Sequence, residues 1–393
     1  MKYSILVPTA ISAVLVDAVF DANSNSNVAV YWGQASAGSQ QSLATYCQSS
    51  DVDVILLSFL HSFPDNLNLH FTSDCATTFH SGLLHCEAIA NDIKTCQNLG
   101  KKVLLSIGGS TGLYGFQNDN QASEFATTLW NTFAGGSSTE RPFNDAVVDG
   151  FDFDIENRNA TGYSALAKTL KDHFSKANKP YYLSAAPQCF YPDASVGDLL
   201  ASVELDFIFI QFYNNACNVD AHFNWDTWAQ MALTGTNSKA KLFLGLAGSP
   251  SAAASGYLPD LDKVRSTIDT ISKGTNFGGI MLWDASQGFA NQVDGKSYVT
   301  QMKGILDSVR GNQHQNNAEN KSSIPGSSND SSSGASTSTV TEYSTSTSVT
   351  SALNLTPATN NPKHSATRVS ASQGSTTESF LTEILRFTKR ALF

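Results

Sequence analysis

Eight short runs rich in β-branched, aromatic and other apolar residues recur along the first three quarters of the chain: VAVYWG (28–33), DVILLSFL (53–60), KVLLSIGG (102–109), VVDGFDFDIE (147–156), YYLSAAPQ (181–188), LDFIFIQFYN (205–214), KLFLGLAG (241–248) and FGGIMLWD (277–284). Near-continuous apolar strands are what a parallel sheet needs when helices cover it. The intervals are long enough for crossovers, and residues 122–130, 163–177 and 261–271 carry apolar side chains at helical spacing. Eight such units over about 260 residues predict an α/β fold, a closed (β/α)8 TIM barrel. The chain has 393 residues and is 41 % hydrophobic, enough for a core of that size.

The fourth run carries the chemistry. In an extended strand successive side chains point to opposite faces, so Asp152, Asp154 and Glu156 share one face and Phe151, Phe153 and Ile155 the other. Neighbouring acids on that face lie roughly 6–7 Å apart along the backbone. Ionising all of them together inside a domain is costly, so at least one pKa must rise, and a carboxyl that stays protonated near neutrality can donate a proton. In a barrel these acids fall at the carboxyl end of strand 4, the end where barrel active sites sit. The spacing does not fit an EF-hand calcium loop.

Composition changes abruptly from about Gly311, where Ser, Thr and Asn dominate, as in SSNDSSSGASTSTVTEYSTSTSVTS (327–351). Such a segment cannot bury enough apolar surface to fold, so 311–393 is expected to be a disordered, glycosylated Ser/Thr-rich tail. Sequons stand at Asn159, Asn320, Asn329 and Asn354. The final SFLTEILRFTKRALF is too charged and too short for a glycolipid-anchor signal. Residues 1–20 combine Lys2, an apolar run and a small-residue site at Val16-Asp17-Ala18, which predicts a secretory leader; no later segment is apolar enough to span a bilayer. A net charge of −10 argues against nucleic acid as partner. Export makes the six cysteines disulfide candidates, although spacing alone leaves fifteen connectivities. His70, Cys75, His80, His85 and Cys86 crowd one stretch, but without CxxC or HExxH spacing no metal site is expected.

The pattern Asp149-x-x-Asp152-x-Asp154-x-Glu156 resembles the D-x-x-D-x-D-x-E signature of glycoside hydrolase family 18, which includes the chitinases. AVYWGQ (29–34), LLSIGG (104–109), YLSAAPQC (182–189), IQFYNN (210–215) and GGIMLW (278–283) are similar, in the same order, to the plant and fungal class III branch. The resemblance covers about 27–308 and implies a catalytic domain over that span. It implies Glu156 as general acid, Asp154 as orienter of the substrate's acetamido group, Tyr213 as hydrogen-bond donor to the acetamido oxygen, and Asp152 as a deeper acid sharing a proton with Asp154. Asp149 is then structural. Ser106, Gly108 and Gly109 match the S-x-G-G motif. Trp283 would floor the site, with Gln211 and Tyr31 lining it. The family's disulfides, carried over by position, pair Cys47 with Cys96, Cys75 with Cys86 and Cys189 with Cys217.

By the same resemblance the chain is a secreted, monomeric endochitinase acting on N-acetylglucosamine polymers of the cell wall, without cofactor, metal or membrane span. The substrate's own 2-acetamido oxygen would be the nucleophile, outside the two-carboxylate scheme. An endo-β-N-acetylglucosaminidase uses the same acids, and an inactive lectin uses the same barrel. The chain departs from the family where Ala35 and His61 stand in place of Asn, and Phe190 in place of Pro, all at strand ends near the groove.

Overall fold

The computed structural model describes residues 20–72 and 75–322. Eight parallel strands close on themselves: β1 (Asn27–Trp32), β2 (Val54–Phe63), β3 (Lys102–Gly109), β4 (Gly150–Ile155), β5 (Tyr182–Ala185), β6 (Phe207–Gln211), β7 (Lys241–Ala247) and β8 (Phe277–Trp283). Each pairs with the next, and β1 pairs with both β2 and β8, so the predicted barrel is the observed one.

Period-two alternation sorts the strand side chains into two cores. Val28, Val30, Ile55, Leu57, Phe151, Phe153, Ile208 and Ile210 point outward, into one layer with the helices. Ala29, Tyr31, Leu56, Leu104, Phe207, Phe209, Phe243 and Met281 point inward and fill the barrel. The helices present complementary stripes. In Asp119–Phe133, started by the Asn118 side chain accepting from Gln121 N–H, the buried residues are Ala122, Phe125, Ala126, Leu129, Thr132 and Phe133. Leu261–Ile271 begins the same way, with Asp260 accepting from Asp262 and Lys263 N–H.

Two short additions modify the carboxyl mouth. Asn68–Leu69 pairs antiparallel with the end of β2, and Leu113–Tyr114 pairs parallel with Ser62–Phe63, which carries the loop after β3 sideways over the mouth. At the opposite mouth the ring of Phe20 packs edge-on against Tyr182 and Phe207, 5.9 Å from each. Phe20, at the last position of the expected leader, thus packs on the apolar bottom of the barrel.

The last helix, Tyr298–Ser322, lies against β1: Lys303 Nζ donates to Ser26 O at 2.8 Å and Arg310 to Ser26 Oγ at 3.1 Å. It runs past the composition break placed at 311, since residues 311–322 still contain Gln, Ala, Glu and Lys, which a helix accepts, before the Ser/Thr runs begin. The leader up to residue 19, the stretch from 323 on, and the sequons at Asn329 and Asn354 lie outside the described residues.

Cys47 is bonded to Cys96, Cys75 to Cys86 and Cys189 to Cys217. His85 Nε2 lies 2.6 Å from Asn144 Oδ1 and His70 Nδ1 lies 3.2 Å from Gln34 Oε1. Among the described residues no group of three potential ligands could hold a metal ion, and no helix is long and apolar enough to cross a membrane.

Candidate active site

The acidic face of β4 points into the barrel at its carboxyl mouth, and strand register decides what each acid meets. Ser106 of β3 and Ser184 of β5 stand opposite Asp152 on either side. Both hydroxyls donate to its carboxylate at 2.7 Å, and Tyr31 Oη donates at 3.0 Å. Asp152 is fully buried; burial raises its pKa and the three hydroxyl bonds pull it back down.

Asp154 is held differently. Gln211 Nε2 donates to its Oδ1 at 2.9 Å and to Ala186 O at the same distance. Its pKa lies well above the usual carboxylate range, first through burial, then through the charges of Glu156 and Asp152, and through a side-chain hydrogen bond with Glu156 that raises it further. The same bond lowers Glu156, whose pKa is nevertheless raised by burial. Burial and mutual repulsion thus raise both acids, so the pair holds a proton more readily than it holds two full charges. Asp152, the expected proton-sharing partner of Asp154, already accepts from three hydroxyls, whereas the carboxyl of Asp154 is oriented by the Gln211 amide.

A line of side-chain amides fixes that orientation. Asn215 Nδ2 donates to Gln188 Oε1, and Gln188 Nε2 donates to Gln211 Oε1 at 3.1 Å and reaches Glu156 Oε2 at 3.4 Å. With its oxygen occupied by Gln188, Gln211 can only turn its NH2 toward Asp154. Behind Glu156, its backbone N–H donates to Tyr114 Oη at 3.0 Å, while that hydroxyl donates to Gly109 O at 2.6 Å. Burial, with the charges of Asp154 and Glu156, pushes the Tyr114 pKa up to about 12, so it remains a hydroxyl.

Asp154, Glu156, Gln211, Tyr213, Phe59 and Trp283 line a cavity of about 100 Å³. Trp283 stacks on Phe59, centroids 6.0 Å apart and planes 20° from parallel, which gives the cavity an apolar floor. Tyr213 is buried, and its pKa lies well above its usual value through burial and the three acids, so it too remains a donor. Gly108 and Gly109 have φ of +110° and +89°. A Cβ on Gly108 would stand 2.2 Å from Asp154 O and one on Gly109 3.0 Å from the Phe59 ring, so both serve close packing of the site's own walls. Tyr31, expected to line the groove, is 1 % exposed and lies under the floor, its ring against Trp283 at 5.5 Å. Asp149 sits at the far end of β4, bound by Lys179 at 2.8 Å and by Val103 N–H at 3.0 Å.

Tyr114, Gln188, Ser184 and Asn215 were not singled out from the sequence. Gln188 and Asn215 stand inside the quoted YLSAAPQC and IQFYNN stretches, but nothing in their spacing marks them. Tyr114 sits in a crossing loop that carries no periodic signal.

With fold and geometry in place, the chain can be set beside known proteins. Residues 27–256 match the family described as Glycosyl hydrolases family 18. Over 311 residues the chain is 58 % identical to the endochitinase of Saccharomyces cerevisiae, an alignment covering 79 % of this chain and 55 % of the yeast protein. The chain spans about half the length of the curated relatives it matches. Among solved structures, the ICChI chitinase of Ipomoea carnea is 32 % identical with a TM-score of 0.61, covering 71 % of this chain and 99 % of that one. The xylanase and α-amylase inhibitor protein XAIP-II of Scadoxus multiflorus is likewise 32 % identical, with a TM-score of 0.58 over 72 % of this chain and 98 % of its own.

Proposed function

The chain belongs to glycosyl hydrolases family 18, and on that premise we propose that it is an endochitinase that cleaves β-1,4 linkages between N-acetylglucosamine units, secreted to act in cell-wall remodelling. The observation that carries this reading is the Asp154–Glu156 pair, a buried and a part-buried acid, both with raised pKa values, beside an aromatic floor. In this mechanism a sugar rests on Trp283 with its acetamido group turned toward Asp154 and Tyr213. Glu156, whose pKa burial raises, gives its proton to the glycosidic oxygen as the bond to the anomeric carbon breaks. The acetamido carbonyl oxygen attacks that carbon from the opposite face. Asp154 accepts a hydrogen bond from the acetamido N–H and Tyr213 donates one to the acetamido oxygen, stabilising the cyclic cation. Glu156, now a carboxylate, takes a proton from the water that opens the ring, and two inversions leave the anomeric configuration unchanged. Asp152 holds the inner end of the acidic face.

We assign the catalytic domain to residues 27–308 together with the remainder of the last helix, the leader to the segment before Phe20, and a glycosylated spacer role to the Ser/Thr-rich stretch. A monomer is the working unit, because all the groups named come from one chain. The endochitinase reading parts from that of an endo-β-N-acetylglucosaminidase, and from an inhibitor or lectin on the same barrel, by products. Wild-type protein should release oligosaccharides from chitin hexaose with β-anomers appearing first in proton NMR, and should leave fully deacetylated chitosan uncut. First-formed α-anomers, or equal rates on both polymers, would rule out the substrate's acetamido group as nucleophile; no cleavage of either would favour a binding protein.

A further inference from the structure

Five large apolar side chains stand out as exposed on the described surface, and Leu113, Phe190 and Tyr191 lie in the loops after β3 and β5, on the mouth that carries Glu156. Tyr191 packs edge-on against Trp228 at 5.3 Å. Phe190 is 54 % exposed, and among the described residues its ring has no aromatic partner.

Its backbone, by contrast, is pinned. Cys189 O accepts from Asn224 Nδ2 at 2.8 Å and from Trp228 Nε1 at 3.1 Å, and Cys189 is bonded to Cys217. Gln188 N–H donates to Asp193 Oδ2 at 3.0 Å, and Asp193 Oδ1 takes the N–H groups of Ser195 and Val196. Two residues of chain separate Phe190 from Gln188, at most about 7 Å, and the Gln188 amide already reaches Glu156. β5 also lies across the barrel from β8 and β1, which carry Trp283 and Tyr31. A polymer that rests one sugar on Trp283 of β8 and runs past Glu156 of β4 toward β5 would meet the Phe190 loop.

We propose that Phe190 is a stacking platform for N-acetylglucosamine units on the leaving-group side of the cleft, extending the site beyond the scissile bond and favouring long chains. An aromatic ring on a fixed backbone offers the apolar C–H face of a pyranose a large contact and orders little new chain when the sugar docks. The platform rests on the chitinase reading above, so its test must separate the two. Two substrates do this: chitin hexaose, which places sugars past Glu156, and an aryl β-glycoside of chitobiose, whose leaving group is a small arene.

The ratio of kcat/KM on hexaose to that on the aryl glycoside should fall about tenfold in Phe190→Ala, the size of one stacking contact, and return to within about twofold of wild type in Phe190→Trp. A ratio that stays within about twofold of wild type in Phe190→Ala overturns the platform, as does an equal loss on both substrates, which would mean that Phe190 acts only through the fold. If wild-type protein cuts neither substrate, the chitinase reading fails instead.

Discussion

At the amino-terminal mouth of the barrel, Asp53, Asp149 and Asp206 each give an oxygen to a backbone N–H of the preceding strand, at Val28 (2.8 Å), Val103 (3.0 Å) and Leu183 (2.8 Å). Lys303 and Lys179 neutralise the first two. At the carboxyl mouth no lysine among the described residues pairs with Asp152, Asp154 or Glu156: hydroxyls and amides hold them, and the charge of Glu156 helps to raise the pKa of Asp154. The chain thus uses one residue type for two purposes. An acid joined to a neighbouring strand's backbone fixes strand spacing, whereas acids crowded on one face, with pKa values raised by burial, can hold a proton for chemistry.

The comparison breaks most visibly under substitution. Glu156→Gln keeps the shape and the hydrogen-bonding capacity of the side chain but cannot transfer a proton, so turnover of chitin hexaose should fall about 10² to 10⁴-fold while the urea midpoint stays near that of wild type. A large loss of stability with little loss of rate would place Glu156 among the structural acids.

The reciprocal experiment is Asp149→Ala, which leaves Lys179 and Val103 N–H without their partner at a buried strand end. Here about 2–4 kcal/mol of stability should go, with kcat of the folded protein unchanged. A rate defect at full stability would mean that the two mouths are coupled and the division above is wrong.

The smallest effect is read in pH. The pKa values of Asp152, Asp154 and Glu156 are all raised in the folded state, so between the ordinary carboxylate range and those raised values the native protein binds more protons than the unfolded chain. Stability from this face is therefore present at low pH and is lost as pH rises through that window. Asp154→Asn should flatten the fall in Tm as pH rises above the ordinary carboxylate range, by something on the order of 2 °C. An unchanged or steeper slope would show that the carboxyl mouth does not set it.

Much of this division was legible before any coordinates. Residues 151, 153 and 155 are apolar and 152, 154 and 156 acidic, and a strand can satisfy both sets only by standing between a helix layer and a polar barrel end. Asp149 lies inside the run 147–156, is set aside as structural only through the family resemblance, and stands one residue ahead of β4. The partners were not legible. Ser184, Gln188 and Tyr114 reach the acids through strand register and a loop that crosses to β2, and neither leaves a periodic trace in the sequence. Phe20 was hidden for another reason: an apolar residue beside an apolar leader looks like leader, and only its contacts with Tyr182 and Phe207 place it in the barrel.

The clasp between Ser26 and the last helix brings the two ends of the barrel within a hydrogen bond of each other beneath its closed mouth. Mechanically, this puts the mooring points on one pole and the working face on the other. Peeling the last helix away would uncover β1 at its base, while the strand bearing Glu156 stands on the far side of the ring from β1.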